Sequence, residues 1–381
     1  MGQPILQFGT SRFLQAHVDL FVSQALERGA AGQALGGITV VQTTGNPASA
    51  ERVAALAAGG GYTVRIRGLK AGERVEHEVT CRAVRQAWQA DAAWPALLEA
   101  MATDVRVIVS NTADRGWQLD ERDGPFLIGD ALRVPGSFPA KLLVLLHHRW
   151  RALPDAGLSI FPCELVERNG DALRSIVRGM ATQWQLEPDF IAWLTQGCIW
   201  VNSLVDRIVS QALHPVGAVA EPYALWAVEW QAGLVLPCAH EDILLTDDLA
   251  RHERLKLFLL NAGHTFLAER WLAGPRELGA TVRHAMDDAA SRSELEAFWA
   301  EEVLPVFDAL GQREDARNYL AQLRERLLNP FLDHRLSDIA QNHLQKKQRR
   351  FAPILALASE LRCGVGQPRL RAALATGHLP A

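Results

Sequence analysis

The sequence predicts an α/β fold, a parallel sheet wrapped by helices and followed by a mostly α-helical domain. Three observations predict it. Short apolar, β-branched runs at 5–8, 38–43 and 105–110 alternate with helix-like stretches, the rhythm of βαβ units. A glycine, Gly9, ends the first run where a tight strand-to-helix turn is needed. From about Asp247 onward, helical periodicity dominates and strand signal is scarce. The first two features together describe a Rossmann-like, dinucleotide-binding domain, assigned to residues 1–247. A helical substrate and catalytic domain follows, assigned to 248–381.

The elements follow in order. Residues 5–8 form the first strand and 13–28 an amphipathic helix. The run 38–43 is a strand ended by Thr44-Gly45-Asn46-Pro47, and a helix covers 48–58. Residues 62–68 and 74–79 alternate in character on either side of Gly72, as a surface hairpin does. A helix at 94–102 precedes the strand at 105–110, and 159–163 and 198–204 read as further strands. Residues 225–245 hold strands that extend the first sheet. The clearest late helices are 293–304, 316–327 and 336–348. No internal repeat or low-complexity segment interrupts this order.

Composition narrows the function classes. The chain has 381 residues, 49% of them hydrophobic and 22% charged, with a net charge of −4. Such a balance supplies no cationic field for a nucleic acid. No apolar run reaches the roughly 18 residues of a membrane span. The chain opens directly into Pro4-Ile5-Leu6-Gln7-Phe8 without a basic-then-apolar leader, so a cytoplasmic protein is expected. Five scattered cysteines and an isolated His147-His148 pair offer no disulfide framework and no metal-ligand spacing. Metal-independent chemistry is therefore expected; oligomeric state is left open.

Two regions carry candidate chemistry. The first is Gly9-Thr10-Ser11-Arg12-Phe13, where Gly9 supplies the turn and Ser11 stands at the position of a second glycine. Thr44 and Asn46, after the second strand, are ribose candidates. They come without an acid or an adjacent arginine, which leaves NAD versus NADP open at this point; NAD is the cofactor expected, with NADP not excluded. Asn111 and Thr112 end a later strand at the carboxyl edge, where open α/β sheets bind ligands. The second region is Lys256-Leu257-Phe258-Leu259-Leu260-Asn261-Ala262-Gly263-His264. A lysine in apolar surroundings can become a general base. Asn261 and His264 share a helix face, but Lys256 lies about 140° away on an ideal helix. Convergence needs its long stem or a local distortion near Gly263.

Taken together, ordered stretches resemble the mannitol dehydrogenase family of long-chain polyol-specific dehydrogenases, nearest to the tagaturonate and fructuronate reductase branch. They include Ile5–Gly9, Val40-Val41-Gln42, Gly45-Asn46, Tyr62–Gly68, Val109–Thr112, Phe138–Leu142, Pro162–Leu165, Asn169-Gly170, Leu204–Ile208, Lys256–His264 and Asn329-Pro330-Phe331. The resemblance implies a zinc-independent, nicotinamide-dependent oxidoreductase with its active site between two domains. It implies Lys256 as general acid/base, Asn261 as donor to the developing alkoxide, and His264 as the group that orients Lys256 and the substrate oxygen. Asp206, Lys346 and Arg350 are implied substrate contacts, with His334 approaching the same region. Phe8, Gly9, Ser11, Phe13, Thr44, Asn46, Asn111 and Thr112 are implied around the cofactor. Leu165 stands where polyol enzymes carry an asparagine, and here the chain resembles the uronate branch.

The leading expectation is NAD(H)-dependent interconversion of a sugar alcohol and a ketose. The alternative is a tagaturonate or fructuronate reductase, turning a ketouronate into an aldonate. A non-catalytic dinucleotide-binding sensor is the reading from a different class.

Overall fold

The computed structural model describes residues 2–45, 47–112 and 116–376. They divide into two compact units: 2–66, 77–220 and 224–249 in the first, and 67–76, 221–223 and 250–376 in the second.

The strands are β1 (Ile5–Phe8), β2 (Ile38–Gln42), β3 (Tyr62–Lys70), β4 (Glu73–Cys81), β5 (Val84–Gln89), β6 (Val107–Ser110), β7 (Ser159–Pro162), β8 (Ile199–Trp200), β9 (Ser203–Asp206), β10 (Val209–Ala212), β11 (Ala218–Ala220), β12 (Leu225–Glu229) and β13 (Ile243–Thr246), all in the first unit except residues 67–76 at the β3–β4 tip, which belong to the second. The six strands of the main sheet run in the order β5-β2-β1-β6-β7-β8, all parallel. This is the doubly wound order, with the chain reversing direction across the sheet between β1 and β6. Both sheet faces are covered, so β1, β2, β6 and β7 are buried at every position and their sequences are mostly apolar, without a polar face. β3 alternates buried and half-buried residues along its length, because one face is open.

Helices α1 (Arg12–Gln15), α2 (Val18–Glu27), α3 (Pro47–Ala57), α4 (Ala90–Met101), α5 (Phe138–Ala152), α6 (Asn169–Gln183) and α7 (Pro188–Gln196) complete this unit. Trp94, Leu97, Phe138, Leu142, Leu145 and Phe190 belong to its core. His147 lies in that layer with a ring nitrogen 2.9 Å from Glu187 and its ring edge-on to Phe190.

Three expectations need correction here. The helix expected over 13–28 is two helices broken at Ala16-His17, where Arg207 donates to the Ala16 carbonyl at 2.6 Å and draws it out of the helical ladder. The strand expected over 198–204 is β8 and β9, which belong to different sheets. The strands within 225–245 do not extend the main sheet: β12 and β13 pair with each other and with β9 in a three-stranded sheet of their own.

The second unit is helical: α8 (Leu249–Leu255), a π-helical turn (Lys256–Asn261), α9 (Ala262–Ala273), α10 (Val282–Asp287), α11 (Ala289–Ala297), a second π-helical turn (Phe298–Val303), α12 (Leu304–Ala309), α13 (Arg313–Leu327), α14 (Leu336–Ile339), α15 (His343–Arg350), α16 (Ala352–Glu360) and α17 (Pro368–Ala375). Its core is formed by residues such as Phe258, Phe266, Phe298, Trp299, Phe307 and Phe351. The helix expected over 336–348 is interrupted at Asn342, which takes a left-handed conformation with φ 54°. Asparagine tolerates that region better than most residues.

The Asn329-Pro330-Phe331 stretch organises this unit. Asn329 donates to the Arg67 carbonyl at 3.1 Å, and the Phe331 ring carries the guanidinium groups of Arg67 and Arg74, each within 5 Å of its centroid (4.7 and 4.4 Å). Arg326 and Glu221 form a buried ion pair at 2.9 Å. Among the described residues no helix is long and apolar enough to cross a membrane.

Candidate active site

The residues that follow β2 and β6, the two neighbours of β1 in the sheet, line a crevice near the point where strand order reverses. Gly9 leaves β1 at φ 115°, a conformation few side chains tolerate. A Cβ there would overlap the carbonyl oxygen of Asn111. The turn therefore passes against the end of β6 because residue 9 is glycine. Ser11 caps α1: its Oγ accepts from Leu14 N at 3.2 Å and donates to Asn111 Oδ1 at 3.1 Å. The first amides of α1, those of Arg12 and Phe13, have no intrahelical acceptor.

Asn111 in turn donates to the Cys163 carbonyl at 2.8 Å, linking the ends of β6 and β7. Thr43, Thr44, Thr112, Ser137 and Phe138 line a crevice of about 690 Å³ in this unit, within the size range of cofactor sites.

A residue that sequence reasoning quoted without a role, Glu164, organises this edge. Its carboxylate accepts from Ser110 Oγ, Thr112 N and Thr112 Oγ1, each at 3.0 Å. Burial pushes its carboxyl above the usual range, while the bonds from Thr112 and Ser110 pull the other way. Phe8 contributes backbone only, because its ring is fully buried 5.2 Å from Phe138. Phe13 stacks on His17 at 4.8 Å. Thr44 is exposed, and its Oγ1 accepts from Gln42 Nε2 at 2.6 Å. Asn46 lies outside the described residues. Asp206 is buried at the end of β9 in the first unit, and Arg207 beside it reaches Ala16.

The lysine segment of the second unit carries a local backbone distortion, one of the two routes to convergence that its spacing requires. Lys256–Asn261 is a π turn, with Ala262 N bonded to Leu257 O five residues back. Widening the helix to this i→i+5 pattern moves residues five apart towards one face. The distortion has visible causes. Trp299 Nε1 donates to the Leu259 carbonyl at 3.2 Å, and Gly263 leaves room for that indole. A Cβ on Gly263 would lie 2.8 Å from Trp299 Cζ2.

Gly263→Ala is expected to displace the indole and destabilise the protein by about 1–3 kcal/mol. Denaturant unfolding measures this directly, and an unchanged midpoint would show that the turn does not depend on this contact.

Beyond the turn, His264 is buried and its ring stands edge-on to His334, 4.7 Å between centroids. Its Nε2 has no hydrogen-bond partner among the described residues. Burial, then the fields of His334, Arg350, Arg326 and Lys346, hold its pKa well below the ordinary histidine value. It is a neutral imidazole near pH 7. His334 is fixed through its carbonyl, which accepts from Val282 N at 2.9 Å.

Arg350 donates to the Asn261 carbonyl at 3.3 Å and to Thr265 Oγ1 at 2.9 Å. Burial lowers its pKa to about 10. Lys346, one turn earlier on α15, donates to the Ile339 carbonyl at 2.7 Å, and burial and Arg350 depress it too. Neither cation forms an ion pair among the described residues; Asp338 is the acid whose field Lys346 feels. The structure thus groups Asn261, His264, His334, Lys346 and Arg350 in the second unit, and Gly9, Ser11, Asn111 and Thr112 in the first. Among the described residues no cluster of three or more His, Cys, Asp or Glu side chains is placed to hold a metal ion.

Comparison with known proteins agrees with this architecture. Residues 3–234 match the mannitol dehydrogenase Rossmann domain and residues 248–376 the mannitol dehydrogenase C-terminal domain. An altronate oxidoreductase of Halalkalibacterium halodurans is 31% identical over 379 residues, covering 93% of this chain and 70% of the relative. One from Klebsiella pneumoniae is 32% identical over 396 residues, covering 97% and 78%. A D-sorbitol dehydrogenase structure superposes with a TM-score of 0.76 at 19% identity, covering 98% of this chain and 80% of that one. The ternary complex of Pseudomonas fluorescens mannitol 2-dehydrogenase with NAD and D-mannitol gives 0.75 at 17%, covering 98% and 78%. With both of its halves matched in order and relatives above 30% identity aligned over more than nine tenths of it, the chain belongs to the mannitol dehydrogenase family.

Proposed function

We propose that this protein is a nicotinamide-dependent oxidoreductase that interconverts a ketouronate and its aldonate, an altronate-type reaction. The observation that carries the substrate class is the pair Lys346 and Arg350, half-buried cations without an ion-pair partner among the described residues, beside two depressed histidines. Charges withdrawn from water are costly until an anion meets them, and a sugar-acid carboxylate is that anion. A neutral polyol gives them no counter-charge. The names of the altronate oxidoreductase relatives support the same choice. This reverses the order expected from sequence, in which a sugar alcohol came first.

The first unit fits a dinucleotide. Gly9 admits the close backbone approach such a ligand requires, and the crevice lies at the strand-order reversal. The mannitol 2-dehydrogenase that shares this fold holds NAD, and a nicotinamide dinucleotide is the ligand this unit takes. When bound, the cofactor accepts or returns hydride. The remaining work falls to this chain. Lys256 takes the hydroxyl proton during oxidation and returns it during reduction. The Asn261 side-chain amide donates to the substrate oxygen as negative charge builds on it. His264, neutral and with Nε2 available, orients that oxygen by hydrogen bonding rather than by charge.

Arg350→Gln tests the carboxylate reading. The KM for a ketouronate should rise roughly tenfold to hundredfold, the worth of a lost charge-assisted bond. Dinucleotide affinity should stay unchanged. A change confined to kcat would assign Arg350 to holding Asn261 instead.

A further inference from the structure

We propose that Arg52 and Thr44 form a seat for the 2′-phosphate of a nicotinamide dinucleotide, so that the protein takes NADP(H) as well as NAD(H). The inference rests on the reading of the first unit as dinucleotide-binding and goes beyond it to the adenosine end of the ligand. In a doubly wound sheet the residues after the second strand meet the ribose of that end. An acid there bonds the 2′-hydroxyl, and a nearby arginine accommodates a 2′-phosphate.

Here β2 ends in Gln42 and runs into Thr43, Thr44 and Gly45, with no carboxylate among them. The arginine comes from α3. Arg52 Nη1 reaches back to Thr10, 3.3 Å from its carbonyl oxygen and 3.2 Å from Oγ1. Thr10 Oγ1 donates to Gln42 Oε1 at 2.6 Å, and Gln42 Nε2 donates to Thr44 Oγ1 at 2.6 Å. One chain of hydrogen bonds therefore ties the guanidinium to both the phosphate turn and the loop after β2.

Further features leave this place open to an anion. Arg52 makes no ion pair among the described residues, and a guanidinium with Nη1 engaged still has other N–H donors in a fixed plane. The neighbouring acid, Glu51, is exposed and turned to His214 at 3.3 Å. A Cβ built on Gly45, beside Thr44, meets nothing within 4 Å. The acids that line the crevice, Asp120 and Glu121, come from the loop after β6, and Asp120 is bonded to Arg122 at 2.6 Å. Thr44 contributes a small polar side chain where an acid would repel the phosphate.

The test uses nucleotide binding to the whole protein by titration calorimetry, with 2′,5′-ADP and 5′-AMP as probes. Wild type should bind 2′,5′-ADP roughly tenfold to hundredfold more tightly than 5′-AMP. Arg52→Ala should remove that preference and leave 5′-AMP within a few-fold. Thr44→Asp, at an exposed position, should also abolish the preference for 2′,5′-ADP. Equal wild-type affinities for the two probes would overturn the proposal. So would an equal loss of both in Arg52→Ala, which would make Arg52 a prop for the Thr10 turn. Failure of both probes to bind wild type would instead remove the dinucleotide reading itself, and this inference with it.

Discussion

Lys256→Met is expected to lower kcat for the ketouronate by about 10²–10⁴-fold, the usual worth of a positioned general acid or base. Methionine keeps much of the stem but cannot carry a proton. The π turn is the reason to single out this lysine. On a regular helix Lys256 and Asn261 diverge, whereas across Lys256–Asn261 the widened turn brings them towards one face. Lys256 belongs to the second unit and the dinucleotide candidates to the first, so cofactor affinity should be retained. Steady-state kinetics beside a dinucleotide titration separates the two effects. Turnover within a few-fold of wild type would remove Lys256 from the chemistry.

Gly9→Ala is expected to abolish dinucleotide binding and to cost about 2–4 kcal/mol of stability, combining backbone strain at positive φ with overpacking. The cost arises at the centre of the sheet. Gly9 N donates to Val41 O at 2.9 Å, Asn111 N to Phe8 O at 3.0 Å, and the added Cβ would strike the Asn111 carbonyl between them. A clash with backbone is not relieved by a rotamer change, so β1 and β6 must separate at the crevice. Chemical denaturation and fluorescence titration with the dinucleotide measure both effects. A variant of wild-type stability that still binds cofactor would show that the turn has room the structure does not reveal.

The sheet was legible because buried parallel strands must be apolar on both faces. Ile5–Phe8, Ile38–Gln42 and Val107–Ser110 announce themselves by that property. The breaks were not. Nothing in the periodicity of 13–28 marks Ala16, since the interruption is imposed by Arg207, nearly two hundred residues later. Asn342 did carry a signal, an asparagine inside a helical pattern, and its left-handed backbone makes it the stop.

Within the candidate site, the spacing from Lys256 to His264 posed the geometric problem, but its solution depends on Trp299, a residue with no sequence link to that segment. Glu164 and Arg52 show the same limit. A single acid or arginine carries no pattern, and its role appears only when the fold sets it beside Thr112 or Thr10. Phe8 errs in the other direction: it borders the phosphate turn in sequence, yet its ring belongs to the core.

The most direct test of the substrate assignment is nicotinamide absorbance during turnover of purified protein with matched pairs: tagaturonate or fructuronate against the corresponding ketoses, and altronate against the corresponding polyols. The members of each pair differ in whether a carboxylate or a hydroxymethyl group ends the chain. The cationic pair Lys346 and Arg350 predicts turnover of the acids and a collapse of kcat/KM, by tenfold or more, when the carboxylate is replaced. Equal or better turnover of mannitol, sorbitol or fructose would contradict it, and would return the protein to the sugar-alcohol reading.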